Sequence, residues 1–154
     1  MKGLILSGGR GTRLQPFTHT RAKQLMPIAN KANLNYAVED LTRAGITDIG
    51  VVISPETGEE VKKHLLAANL GAHFSFIVQD TPGGLAHAVR IARDYLSDSP
   101  FVMYLGDNLL DGGINHLLEP FKAGQAEACI LLTKVSNPSK IGRASCRERV
   151  LMPV

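Results

Sequence analysis

Apolar residues fall in short blocks along this chain, and the blocks alternate between two periods. Five of them are compact, mostly apolar runs, a pattern that predicts strands. These five are Leu4–Leu6, Ile49–Ile53, Phe74–Val78, Phe101–Leu105 and Ala128–Val135. Because several of them are apolar on both faces, we expect a sheet that is covered on both sides.

Between the strand blocks, apolar residues recur every three or four positions, which is the period of an amphipathic helix. The four stripes are Leu34–Ala44, Val61–Ala68, Leu85–Leu96 and Ile114–Phe121. Gly45 predicts the end of the first helix, and Thr57 with Glu60 predicts a capping box at the start of the second. Pro120 predicts that the fourth helix is cut or kinked.

The alternation of strands and helices predicts an α/β fold: a Rossmann-like, mostly parallel sheet sandwiched by helices. In such sheets ligands bind beyond the carboxyl ends of the strands. Gly8 follows the first strand, Gln79 the third and Asp107 the fourth. We therefore expect these three residues to lie at one rim of the sheet and to line a single crevice.

The segment Ser7–Leu14 reads SGGRGTRL, with glycines at 8, 9 and 11. Glycine allows a backbone to bend at positive φ and a ligand to approach closely, so freed N–H groups can hold phosphate oxygens. Arg13, with Arg10, adds positive charge to such a cradle. The loop lacks the third glycine of G-x-G-x-x-G and the Gly-Lys-Ser/Thr ending of a P-loop. A glycine-rich turn that binds nothing is therefore the alternative.

The next segment, Pro16–Lys31, reads PFTHTRAKQLMPIANK. Together with the glycine loop it resembles the signature of the sugar-1-phosphate nucleotidylyltransferases, in which a G-T-R-L loop is followed by Pro and Thr and then by a K-Q-L-x-P-I block. Lys23-Gln24-Leu25 is similar to the branch that uses thymidine nucleotides. The resemblance covers residues 1–140, and it implies an N-terminal, nucleotide-binding part of the domain that is truncated at the C-terminus.

The resemblance implies a reaction in which dTTP and glucose 1-phosphate give dTDP-glucose and pyrophosphate. Arg13 and Lys23 are then the catalytic cations. The implied nucleotide-binding residues are Leu6, Gly8, Gly9, Gly11, Thr12, Arg13, Gln24, Gln79 and Gly84. Asp107, in the sequence LGDN, is implied to be one of two aspartates that bind Mg²⁺. In the family the second aspartate and the sugar-phosphate lysine lie beyond residue 140, so we expect this chain to be weakly active or inactive.

Several alternatives stay open at this point. One is an enzyme that uses UTP or another sugar phosphate, and another is a non-catalytic nucleotide-binding domain; the resemblance also leaves open a homo-oligomeric full-length form. Gln79 suits the edge of a pyrimidine because an amide is both donor and acceptor, and Gly84 leaves room for a flat base. Yet Gln79 and Asp107 are also ordinary turn residues, and His87 is expected to pack as a helix residue.

The last residues, 141–154, do not resemble the family. The decapeptide IGRASCRERV at 141–150 is the translation of ATC GGA AGA GCG TCG TGT AGG GAA AGA GTG, which resembles a sequencing-library adapter. We therefore expect residues 1–140 to be authentic and the tail to be an artefact of the gene record. A natural, divergent C-terminus is the alternative, and resequencing the source gene decides between them.

Composition narrows the function classes further. With 154 residues and a hydrophobic share of 44%, the chain is long enough for one domain with a core. Two of its three net positive charges fall in residues 141–154, and no basic cluster with stacking aromatics remains, which argues against DNA or RNA binding. No apolar run is long enough to span a membrane. Without a secretory signal or a disulfide framework, we expect a cytoplasmic location.

Overall fold

The computed structural model describes residues 1–9, 22–124 and 126–132. Contacts divide the chain into two compact units, Met1–Asp111 and Gly112–Val154. The first unit holds, in chain order, β1 (Lys2–Ser7), β2 (Pro27–Ile28), β3 (Lys31–Ala32), α1 (Asn33–Arg43), β4 (Asp48–Ile53), α2 (Gly58–Ala67), β5 (His73–Val78), α3 (Gly84–Ile91), α4 (Arg93–Leu96) and β6 (Phe101–Leu105). The second unit holds α5 (Asn115–Lys122).

The main sheet of the first unit has four strands in the order β5-β4-β1-β6. All three strand pairs are parallel, and Leu4 of β1 lies opposite Gly50 of β4 and Met103 of β6. Four of the five predicted strands coincide with these strands. The predicted α/β class with a parallel sheet is confirmed. Strands of such a sheet are buried on both faces, which explains why their sequences are mostly apolar.

Helices cover both faces of this sheet. On one face, Leu41 of α1 packs so close to β1 that a Cβ on Gly3 would lie 3.0 Å from its Cδ1. On the other face, Leu4 and Val52 form a buried cluster with Ala88, Ala92 and Leu96 of α3 and α4. Side chains from adjacent strands thus enter two cores, one on each side, and the sheet is sandwiched as predicted.

The third predicted helix is interrupted. The stripe Leu85–Leu96 predicts one helix, whereas the structure divides it into α3 and α4 at Ala92. The amide of Ala92 donates to the carbonyls of both Ala88 and Val89, at 3.3 and 3.1 Å, so the turn tightens there. This local tightening keeps Ala88, Ala92 and Leu96 together against the sheet.

The predicted fifth strand, Ala128–Val135, is not present in its described part. Residues 128–132 have no regular structure, and Leu132 is 59% exposed; residues 133–135 lie outside the described residues. An apolar run becomes a strand only when its backbone pairs with a sheet edge, and residues 128–132 make no such pairing. Apolar composition alone was therefore a misleading signal at this position.

Two smaller predictions concern single residues of the helices. Pro120 does not cut α5, because the hydrogen-bond ladder resumes beyond it with the amide of Ala123 donating to Glu119 at 3.0 Å; a kink at Pro120 stays a prediction. The capping box at Thr57 does not form. Instead Ser54 Oγ accepts the amide of Thr57 at 3.3 Å, and Glu60 accepts the amide of Ala22 at 3.0 Å. The carboxylate of Glu60 therefore contacts the segment that leads into Lys23 and does not cap α2.

Within the described residues no helix is both long and apolar enough to cross a membrane. The tail discussed above, residues 141–154, lies outside the described part of the chain.

Candidate functional site

A crevice of about 400 Å³ opens at the carboxyl ends of the strands in the first unit. Gly8 and Gly9 contribute to it directly after β1, Gln79 after β5 and Asp107 after β6. Lys23 and Gln24 reach it from a single 3-10 turn, Lys23–Leu25. Apolar residues complete the lining: Leu6, Val52, Pro82, Leu85, Ala88 and Leu105.

The structure therefore brings together most of the residues that the sequence singled out. Eight of them line this one crevice: Leu6, Gly8, Gly9, Lys23, Gln24, Gln79, Gly84 and Asp107. Gly11, Thr12 and Arg13, with Arg10, lie outside the described residues. The expected placement of Gly8, Gln79 and Asp107 at one rim of the sheet is observed, as the parallel topology requires.

The charged groups of the crevice are in direct contact. Lys23 Nζ donates to Asp107 Oδ2, and each side chain is about one-third exposed to solvent (31% and 32%). The two residues are 84 positions apart in the chain. The ammonium group and the carboxylate therefore neutralise each other in this structure, while both stay accessible from the crevice.

Asp107 is a suitable, though single, protein ligand for a divalent cation. No group of three or more His, Cys, Asp or Glu residues within the described ranges could hold a metal by itself. Mg²⁺ is usually bound by one or two carboxylates together with substrate phosphates and water. An accessible carboxylate beside a lysine is chemically compatible with that arrangement.

Glycine at position 8 allows the side chain of Gln79 to lie close to the backbone that follows β1. A Cβ on Gly8 would lie 3.3 Å from Gln79 Oε1, which is tighter than almost all real Cβ contacts. The backbone amide of Gln79 donates to Ile53 at 2.8 Å and so extends the sheet beyond β5. Glycine at position 8 thus lets the amide oxygen of Gln79 lie against the turn that leaves β1.

The side chain of Gln79 is held from the other direction. Its Nε2 donates to the carbonyl of Gly84 at 3.4 Å and to His87 Nδ1 at 2.9 Å. The expectation that His87 serves only helix packing missed this contact. The available signal was spacing, since His87 lies three residues after Gly84, on the first turn of α3. Gly84 itself has a φ of +85°, and the space where its Cβ would lie is open.

Gln24 adds an unusual buried acceptor. Its side chain is only 3% exposed, and its Oε1 has no hydrogen-bond partner among the residues that the structure describes. Ser7 Oγ, at the end of β1, is likewise buried and without a hydrogen-bond partner among the described residues. Buried polar atoms without partners are rare, and Gln24 lines the crevice.

The fold and the crevice define the class: an α/β protein with a parallel sheet and a ligand site at its carboxyl rim. A family model described as nucleotidyl transferase matches residues 2–150. The chain belongs to the nucleotidyl transferase family. The match runs past Lys140 into the predicted artefact, whose origin stays a prediction for resequencing to decide.

Individual relatives agree with this family. The chain is 50% identical over 150 residues to a low-salt glycan biosynthesis nucleotidyltransferase of Haloferax volcanii, covering 97% of the chain and 42% of the relative. It is 50% identical over 145 residues to glucose-1-phosphate thymidylyltransferase of Streptomyces antibioticus, covering 94% and 41%. A crystal structure from Bacillus anthracis, described as a glucose-1-phosphate thymidylyltransferase with sucrose, superposes with a TM-score of 0.76 at 35% identity, covering 80% of this chain and 50% of that one. The chain thus spans about two-fifths of these curated relatives.

Proposed function

We propose that the crevice binds a pyrimidine nucleoside triphosphate together with Mg²⁺, and that it is the nucleotide half of an enzyme that transfers a thymidylyl group from dTTP to glucose 1-phosphate. The observation that carries the proposal is the meeting of Gly8, Lys23, Gln79 and Asp107 in one crevice. A glycine turn and a cation suit phosphates, an amide suits the edge of a base, and a carboxylate suits a metal ion.

The Lys23–Asp107 contact indicates which group each ligand would engage. A triphosphate offers Lys23 stronger acceptors than one carboxylate, and Mg²⁺ offers Asp107 a stronger partner than one ammonium group. Nucleotide and metal bound together would therefore compensate Lys23 and Asp107 in place of their mutual contact. We expect neither ligand alone to bind as well as both do.

In the proposed reaction a phosphate oxygen of glucose 1-phosphate attacks the α-phosphorus of dTTP. A new oxygen–phosphorus bond forms, the bond between the α-phosphorus and the bridging oxygen breaks, and pyrophosphate leaves with that oxygen. The attacking phosphate is already anionic near neutral pH, so no general base is required. Lys23 would hold the phosphates in position and stabilise the charge that develops in the transition state.

Support for dTTP and glucose 1-phosphate comes from the Streptomyces antibioticus relative, which is named for that activity. The K-Q-L sequence at Lys23–Leu25 agrees with it. A nucleotidyl transfer that uses UTP or another sugar phosphate is the second candidate, since the Haloferax volcanii relative is equally similar and its name specifies no substrate.

Calorimetric titration of the 154-residue chain with dTTP, in Mg²⁺ and in EDTA, tests the proposal. We expect Lys23→Ala to lower the affinity about tenfold or more under both conditions, because hydrogen bonds to charged groups contribute roughly 1.5–3 kcal/mol. Asp107→Ala should instead remove the gain from Mg²⁺ while leaving binding in EDTA unchanged or stronger, since Lys23 is then free.

Lys63→Ala and Asp94→Ala are matched controls, because both residues are exposed on helices away from the crevice lining. They should leave both affinities unchanged. Failure of the unmodified chain to bind any nucleoside triphosphate, or equal losses in the control variants, would contradict the proposal. Product formation is a separate question: we expect little or no dTDP-glucose, because the chain spans about two-fifths of its relatives.

A further inference from the structure

The surroundings of Gln79 favour one orientation of its side-chain amide. One neighbour of its Nε2 is the carbonyl oxygen of Gly84, at 3.4 Å, which can only accept a hydrogen bond. The other is His87 Nδ1, at 2.9 Å, which accepts when the imidazole is neutral and carries its proton on Nε2. Rotating the amide by half a turn would place its oxygen against the Gly84 carbonyl oxygen, and also against His87 Nδ1 in the tautomer that carries its proton on Nε2.

The imidazole ring of His87 lies close to the backbone of Gly83. A Cβ on Gly83 would lie 2.6 Å from His87 Cγ and 2.8 Å from its Nδ1. The φ of Gly83 is −84°, so its backbone would accommodate any residue. Glycine at position 83 is therefore explained by the nearness of the imidazole, and not by backbone strain.

As a consequence, Gln79 presents an acceptor to the crevice. Its Oε1 is directed to the side of Gly8, while both hydrogens of its Nε2 are directed to Gly84 and His87. Gly84 and Leu85, the first residues of α3, line the same crevice, and the leading N–H groups of a helix have no acceptor within that helix. An acceptor and unpaired backbone donors thus belong to the lining of one crevice.

We infer that His87 is a positioning residue, which fixes the amide of Gln79 so that the crevice selects keto bases over amino bases. The inference rests on the proposed nucleotide binding. Thymine and uracil present a ring N–H donor next to a carbonyl acceptor, which matches the acceptor and donor of the rim. Cytosine presents a ring nitrogen acceptor next to an amino donor, and so meets like groups at both points.

The direct test compares dUTP with dCTP, two ligands that differ only at this edge of the base. Their affinities are measured by calorimetry, in Mg²⁺, for the unmodified chain and for His87→Leu, which removes the acceptor. We expect the unmodified chain to prefer dUTP, and His87→Leu to reduce the ratio of the two affinities about tenfold, because one of the two contacts that hold the amide is lost. The amide then keeps only the 3.4 Å contact with Gly84 and presents its other end more often.

Two further variants separate positioning from packing. His87→Gln keeps an acceptor on the first turn of α3 and should restore most of the preference. Gly83→Ala keeps the imidazole but displaces it, and should reduce the preference as His87→Leu does. His73→Leu is the matched control, because His73 is an exposed histidine at the other end of β5; it should leave the ratio unchanged.

A ligand-free readout keeps the inference testable if His87→Leu folds poorly or nucleotides bind weakly. The side-chain amide signals of Gln79 in ¹⁵N spectra should shift in Gly83→Ala and in His87→Leu, and stay in place in His73→Leu. An unchanged dUTP to dCTP ratio in both His87→Leu and Gly83→Ala would overturn the inference while leaving nucleotide binding intact. If the unmodified chain binds neither nucleotide, the proposed function fails, and unshifted Gln79 signals would separately refute the positioning role.

Discussion

At the scale of single residues, buried polar contacts tie distant parts of the first unit together. Tyr104 of β6 is only 4% exposed, and its hydroxyl donates to Asp40 Oδ2 of α1 at 2.8 Å. The same carboxylate accepts from Arg43 through its other oxygen. Burial and this hydrogen bond raise the pKa of Tyr104 well above its ordinary value. The phenol therefore serves the fold as a neutral donor to a buried carboxylate.

We predict that Tyr104→Phe lowers the free energy of unfolding by about 1–3 kcal/mol, because it deprives a buried, charged acceptor of a donor. Tyr36→Phe is the matched control, since the hydroxyl of Tyr36 donates to a neutral carbonyl, that of Ile28, at 2.9 Å. Its cost should be smaller, near 1 kcal/mol, as for a typical hydrogen bond between neutral groups. Urea denaturation followed by circular dichroism measures both, and equal losses would contradict the assignment.

The raised pKa of Tyr104 also has a consequence for pH dependence. Below about pH 10, tyrosine is neutral in both the folded and the unfolded chain, and its contribution to stability is constant. Above that pH the unfolded chain releases the phenolic proton while the folded protein retains it, so stability falls as pH rises. Burial likewise raises the pKa of Tyr95, which donates to Asp48 at 3.0 Å.

We therefore expect the thermal unfolding midpoint to decline between about pH 9.5 and 11, and to decline less steeply in Tyr104→Phe. Midpoints measured by circular dichroism at half-unit pH steps provide the test. Parallel curves for the two proteins in this range would show that Tyr104 titrates alike in the folded and unfolded states, which would contradict the structure.

At the scale of elements, the contact between α4 and β4 depends on a missing side chain. Tyr95 lies directly over Gly50, where a Cβ would come within 2.5 Å of the ring carbon Cε1. Gly50 is buried in a central strand. Neither the ring nor the strand has room to move without disturbing the packing of α4 against the sheet.

We predict that Gly50→Ala destabilises the protein by about 1–3 kcal/mol, the usual cost of overpacking a core. This outcome is informative because alanine is otherwise favoured over glycine in a strand interior. Ser75→Ala, at an exposed position of the edge strand β5, should change stability by no more than about 0.5 kcal/mol. A neutral or stabilising effect of Gly50→Ala would mean that Tyr95 does not pack on β4 as described.

The elements also show how far sequence patterns could predict this fold. Runs such as Ile49–Ile53 predicted strands correctly because a parallel sheet buries both faces of a strand. The run Ala128–Val135 resembled them in composition, yet its described part pairs with no strand. The β2–β3 hairpin was missed because its turn lacks glycine, and Ala29 takes a φ of +56° there. The pattern of apolar residues predicts which segments are buried, but it does not predict which strand each segment pairs with.

The geometry of the candidate site could likewise be predicted only in part from the sequence. The rim positions of Gly8, Gln79 and Asp107 were predictable, since the topology of a parallel α/β sheet places strand ends together. The Lys23–Asp107 contact was not, because it joins residues 84 positions apart through their side chains. The contact of His87 with Gln79 was missed for a different reason: its spacing was visible, but the orientation of an amide depends on every acceptor around it.

At the scale of the whole molecule, the first unit has what a nucleotide site requires. Its four-stranded sheet is covered on both faces and places its polar residues at one rim. The chain belongs to the nucleotidyl transferase family and spans about two-fifths of its curated relatives. The function proposed for this chain by itself is therefore the binding of nucleotide and metal.

The most direct test of this account is chemical shift mapping of the ¹⁵N-labelled chain during titration with dTTP and Mg²⁺. We predict that the largest perturbations fall on backbone amides of the crevice, namely Gly8, Gly9, Lys23, Gln79, Gly84 and Asp107. Perturbations at the opposite rim, where Lys2 pairs with Phe101 and Asp48 with His73, or no perturbations at saturating nucleotide, would contradict it.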